Sequence, residues 1–139
     1  MRIFLDANIL FSAAKSAGAV HQLLELLISR KHALCADEYV VTEARRNLSA
    51  KASVESLRLL DELLAQTEVS ASRILGFDKS MASWLPERDR PVLAAAMHLR
   101  CDALVTGDVK HFGAGFGKSF GGVVIYSPRL LAEALRISN

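Results

Sequence analysis

DRPVLAAAMHLRCDALVTGD, residues 89–108, reads as a helix feeding directly into a short buried strand. Pro91 suits the first turn of that helix, where a missing backbone donor costs nothing, and the apolar run continues to about Arg100. Residues 103–106 then form a strand, with Asp108 just past its end. Working outward, residues 2–5 form an uninterrupted apolar run ending at Asp6, the pattern of a strand buried on both faces. Val20, Leu23, Leu24, Leu27 and Ile28 repeat at helical spacing over residues 19–28. Residues 33–36 read as a second strand; Asp37 and Ser53 read as caps for helices over about 38–48 and 54–65. Residues 67–70 give a third strand, and residues 72–86 a short helix plus loop, because Gly76, Trp84 and Pro86 interrupt any period. A glycine-dense loop over 113–122, a fifth strand over 123–126 and a closing helix over 128–137 complete the chain. Strands alternating with helices predict an α/β fold: a mainly parallel, about five-stranded sheet covered on both faces and joined by right-handed crossovers. With 139 residues and 51% apolar content, residues 1–139 are expected to make a single domain.

Four acids fall where a strand should end or a helix begin: Asp6, Glu43, Asp89 and Asp108. In parallel sheets, sites collect at the carboxyl ends of strands near the point where strand order reverses. Asp6 and Asp108 therefore meet if strands one and four are neighbours. Glu43 and Asn47 lie four apart and share a helix face, and Asp89 stands at the start of another helix, with Glu87 in reserve. Thr106 and Asn8 are placed to present polar groups to these acids. Gathered carboxylates repel unless a cation offsets them, and hard divalent ions such as Mg²⁺ take oxygen ligands of this kind. The chemistry that follows is phosphodiester hydrolysis by metal-activated water, which needs no side-chain nucleophile. Asp37, Asp61 and Glu62 read instead as caps or solvated groups.

Other classes fit poorly. Seventeen Lys and Arg against fifteen Asp and Glu leave a net charge of +2, too small to predict nucleic-acid binding by itself. Arg45 and Arg46 beside Glu43, and Lys15 beyond Asp6, can nevertheless rim an acidic centre and admit a polyanion. One Trp and two Tyr argue against an extended base-stacking platform. Gly117–Lys118–Ser119 lacks the earlier glycine of a phosphate loop, since Phe112 stands there, although Lys118 can guide a phosphate backbone. Cys35 and Cys101 have no CxxC spacing and read as buried thiols of a reducing compartment. Only three apolar residues separate Arg2 from Asp6, and no run approaches a membrane span, so a cytoplasmic protein is expected.

Together, RIFLDANILFSA, VVTEARRNL and DRPVLAAAMHLRCDALVTGDVKHF resemble the PIN-domain family, particularly its small bacterial and archaeal VapC-like members, in the right order along essentially the whole chain. The resemblance implies a three-layer α/β/α fold and a Mg²⁺- or Mn²⁺-dependent ribonuclease. It also implies that Asp6, Glu43, Asp89 and Asp108 hold the metal, with Thr106 supporting the last acid. It further implies a toxin of a toxin–antitoxin pair, a small antitoxin occluding the acidic groove, and a homodimer. One departure stands out: many VapC-like members carry a further acid shortly after the position of Asp108, where this chain has Lys110 and His111. That is compatible with one tightly bound Mg²⁺ and another ion recruited by RNA; Lys110 joins the candidate RNA contacts, and His111 is left to contact phosphate or the leaving group, or to be a bystander. Leu57, Leu60, Leu63 and Leu64 spread around their helix and can serve the core or a partner. Two alternatives stay open: a PIN-like protein that binds RNA or protein without cleaving, and a metal phosphohydrolase of small molecules.

Overall fold

The computed structural model describes residues 1–51, 53–72 and 79–137. Its sheet is built from β1 (Arg2–Leu5), β2 (Ala33–Asp37), β3 (Glu68–Ser70), β4 (Ala103–Val105), β5 (Ser119–Phe120) and β6 (Val123–Tyr126). These lie in the order β3-β2-β1-β4-β6-β5, all parallel except β5, which runs antiparallel to β6. The helices are α1 (Ala7–Lys15), α2 (Ala19–Ser29), α3 (Glu38–Lys51), α4 (Val54–Leu64), α5 (Arg90–His98), α6 (Val109–Phe112) and α7 (Pro128–Ala134).

From β1 the chain steps to β2 and then β3, whereas β4 leads to β6 on the opposite side. Right-handed crossovers running in opposite directions place their helices on opposite faces, which produces the α/β/α sandwich. On one of them α1, α3 and α4 pack against one another. β1 is central and adjacent to β4, so the order reverses between them. Ile3, Phe4, Leu5, Leu104 and Val105 are fully buried there, as expected of strands covered on both faces.

Several elements differ from the sequence reading. Among the described residues the sheet has six strands, against about five expected, because the loop expected over 113–122 folds into a 3₁₀ turn (Gly113–Gly115) and then β5. Gly121 and Gly122, with φ of 57° and 85°, form the two-residue turn between β5 and β6. A Cβ at position 121 would lie 2.4 Å from Met97 Cε, so glycine is required there for space as well as for backbone. α1 and α6 were not foreseen. Between residues 72 and 86 the described part contains a 3₁₀ turn, Lys79–Ala82, while Gly76 lies outside the described residues. Asp37 does cap α3, accepting from Val40 N at 3.2 Å, but it is buried, not solvated. Leu60 is fully buried, and Leu57, Leu63 and Leu64 are partly buried against the core.

Cys35 and Cys101 are both buried free thiols. Among the described residues, no helix is long and apolar enough to cross a membrane. Trp84 stacks on Phe120, with ring centroids 5.0 Å apart, and meets Phe112 edge-on at 6.3 Å. Its indole Nε1 donates to Met81 O at 2.9 Å. At α7, Ser127 Oγ accepts from Leu130 N at 3.1 Å ahead of Pro128, a standard helix start. Ser127→Ala is expected to lower stability by about 1 kcal/mol in urea denaturation; no change would mean the cap contributes nothing.

Candidate metal centre

Asp6 ends β1 and starts α1. Its backbone N–H completes the pairing with β4 by donating to Val105 O at 3.1 Å, while its Oδ1 accepts from Ala7 N at 2.8 Å. Its Oδ2 accepts from Thr106 Oγ1 at 2.7 Å and from Asn8 Nδ2 at 3.2 Å. Asn8 bridges back, its Oδ1 accepting from Gly107 N at 2.7 Å, and Thr106 Oγ1 accepts from Asp108 N at 3.2 Å. Thr106 and Asn8 thus tie together the ends of β1 and β4; the Thr106 hydroxyl, expected to support Asp108, donates to the Asp6 carboxylate and meets Asp108 only by accepting from its backbone N–H. Asp6 is only 6% exposed, and burial pushes its carboxyl up to about 6. The bonds from Thr106 and Ala7 oppose this, and the charges of Glu43 and Asp89 add to it.

Asp108 opens α6, its Oδ1 accepting from His111 N at 3.0 Å. One turn later the His111 ring folds back, with Nδ1 2.9 Å from Asp108 Oδ2 and 3.0 Å from Asp89 Oδ2. Neither approach has the geometry of a directed hydrogen bond: Asp89 Oδ2 and His111 Nδ1 are buried and lack a hydrogen-bond partner. Asp89 closes a 3₁₀ turn, Glu87–Asp89, at the start of α5 and makes no side-chain cap, so its carboxylate is left to face the other acids. Burial raises its pKa, His111 lowers it and Asp108 raises it again. His111 therefore sits inside the acidic cluster rather than as a bystander on a surface helix.

The four acids meet around one pocket of about 260 Å³, lined by Asp6, Asn8, Phe11, Glu43, Asn47, Lys51, Arg88, Asp89 and Asp108. A cleft of about 540 Å³ shares Glu43, Asn47, Arg88 and Asp89 and adds Tyr39, Thr42, Arg46 and Ser72 among others. Glu43 and Asn47 project from one face of α3, and Lys51, one turn further, continues it. Glu87 is exposed and lines neither cavity.

The expected cations divide. Arg46 lines the larger cleft, whereas Arg45 turns away to pair with Asp61 at 2.7 Å. Lys15 lies over the Phe11 ring, its Nζ 5.4 Å from the centroid, and Phe11 borders the acidic pocket. Lys110 and Lys118 are exposed outside both cavities. Arg88 and Lys51 were missed. The spacing of Lys51, four after Asn47 and eight after Glu43, signals a shared face; nothing comparable marks Arg88.

Carboxylate oxygens converging on a half-open pocket suit a hard divalent cation, and buried oxygen and nitrogen atoms without partners are what such an ion would satisfy. Asp89, Asp108 and His111 each offer a ligand atom, all within 4.8 Å of one another.

A family model described as PIN domain matches residues 2–110. No curated protein matches the chain by sequence. Solved structures do match by fold. A chain of Rickettsia felis VapBC2, bound to a promoter DNA fragment, superposes with a TM-score of 0.63 at 17% identity, over 91% of this chain and 98% of that one. FitAcB from Neisseria gonorrhoeae gives 0.61 at 18% identity, over 91% and 98%. Mycobacterium tuberculosis VapC20, described as a sarcin–ricin loop cleaving toxin, gives 0.58 at 14% identity, over 85% and 98%.

Proposed function

The chain belongs to the PIN-domain family, and from that premise we propose that it is a divalent-metal-dependent endoribonuclease, the toxin of a toxin–antitoxin pair. One observation carries the reading: Asp6, Glu43, Asp89 and Asp108, far apart in sequence, line a single pocket where the strand order reverses. In this reading the four carboxylates hold Mg²⁺ or Mn²⁺. The ion, when bound, supplies positive charge for phosphate oxygens and a more acidic water.

The chain's own groups do the rest. Thr106 and Asn8 fix the Asp6 carboxylate against the end of β4, so its free lone pairs keep one orientation. Asn47 offers an amide to substrate oxygens beside Glu43, and Arg88, Lys51 and Arg46 give the polyanion a cationic border around an acidic floor. RNA is favoured over small phosphate esters because the acidic pocket opens into the larger cleft instead of being closed. The fold shared with VapBC and FitAB structures supports an antitoxin partner, and the proposal extends to a homodimer.

Purified protein should cut total cellular RNA with Mn²⁺ or Mg²⁺ present and stop on chelation, with mapped ends defining its sites. RNA left intact under both ions, or cleavage indifferent to chelator, would sink the proposal. Retained RNA binding without cleavage would favour the non-cleaving alternative, and rapid turnover of mononucleotides with RNA untouched the small-molecule one. The border makes a separate prediction. Arg88→Ala should weaken RNA binding measured in chelator and reduce the slope of log K against log salt by about 1. An unchanged slope would remove Arg88 from the binding surface.

A further inference from the structure

We propose that His111 is itself a metal ligand, through Nδ1, and that it biases the centre toward Mn²⁺ over Mg²⁺. The inference rests on the metal-centre reading above and concerns which ion that centre takes.

Three observations point to it. First, Nδ1 lies at ion-pair distance from two carboxylate oxygens that precede different helices, 2.9 Å from Asp108 Oδ2 and 3.0 Å from Asp89 Oδ2, yet it and Asp89 Oδ2 make no directed hydrogen bond. An imidazole merely bridging two acids would aim an N–H at one of them. Second, these separations match neighbouring ligands of an octahedral ion: bonds of about 2.1 Å put adjacent donor atoms about 3.0 Å apart. Third, the ring is held in place. The α6 turn is closed by Asp108 accepting from His111 N, and the next residue, Phe112, is fully buried against Trp84. The ligand is therefore positioned before any ion arrives.

The donor type then sets the preference. Mg²⁺ is a hard ion that keeps oxygen ligands and waters, whereas first-row transition ions accept imidazole nitrogen alongside carboxylate. A set of carboxylates with one neutral imidazole favours Mn²⁺.

The test uses the whole chain and the two ions themselves. Wild-type protein loaded with Mn²⁺ should show histidine ¹⁴N coupling in pulsed electron paramagnetic resonance. Calorimetric titrations should give a Mn²⁺/Mg²⁺ affinity ratio that falls at least about tenfold in His111→Asp, where the set becomes all oxygen. His111→Gln provides a neutral variant, and the wild-type spectrum stands even if both variants fold poorly. Coupling in the wild type that disappears in either folded variant supports the proposal. Bound Mn²⁺ with no nitrogen coupling overturns the histidine ligand while leaving the carboxylate centre intact, and an unchanged ratio overturns the preference for Mn²⁺. A wild-type protein that binds neither ion overturns both.

Discussion

Asp108→Asn and Asp6→Asn are each expected to slow RNA cleavage at least about 100-fold with either ion present. Each change removes an anionic oxygen from the point where β1 and β4 end while leaving most of the local scaffold. An asparagine at 108 still accepts from His111 N, so α6 keeps its start. At position 6 the same substitution keeps the acceptor for Ala7 N but turns an amide toward Thr106 Oγ1 and Asn8 Nδ2, the latter a fixed donor. D108N is therefore the cleaner probe. The check is initial cleavage rate together with the rise in melting temperature on adding Mn²⁺: both should collapse in D108N while its far-ultraviolet circular dichroism is unchanged. If D108N and D6N cleave as fast as the parent, the carboxylates are not the reacting centre.

Without metal, the protein is expected to become more stable as pH falls from 7 towards 5, the reverse of ordinary acid destabilisation. Burial raises the Asp6 carboxyl to about 6 in the fold, against 3.8 for an ordinary aspartate. Between those values the folded state binds a proton that the unfolded state does not, so stability falls as pH rises. The cost is fully present above pH 6 and is lost as pH drops towards 4. A difference of about two units corresponds to roughly 3 kcal/mol. Asp37 and Asp89 are raised by burial too and act with the same sign. Urea denaturation at pH 7, 6 and 5 in chelator measures the effect, which should flatten in D6N and disappear in saturating Mn²⁺, because a bound cation holds the carboxylate ionised. A parent protein that loses stability over that range with the same slope as D6N would contradict it.

The sheet was legible where single strands carry continuous apolar runs. RIFL and ALV read as buried from their apolar runs, but their pairing side by side was only the condition under which Asp6 and Asp108 would meet, and the structure supplied it. α1 escaped because no separate cap announces it: Asp6 ends the strand and begins the helix, leaving no turn residues between. α6 escaped because four residues are too few to show a period, yet that one turn is what brings His111 to Asp89, 22 positions earlier in sequence. Arg45 and Arg46 illustrate another limit. They are adjacent in sequence, but a helix turns about 100° per residue, so one reaches the cleft and the other reaches Asp61.

The aromatic cluster around Trp84 has a use beyond packing. It is the only tryptophan in the chain, it belongs to the segment leading to Asp89, and its ring touches Phe112, the residue after His111. Its emission therefore originates beside two of the strands of backbone that carry acidic and imidazole groups into the pocket. The protein holds a built-in optical reporter: a change in fluorescence on titration with an ion would follow loading of the centre without any attached label.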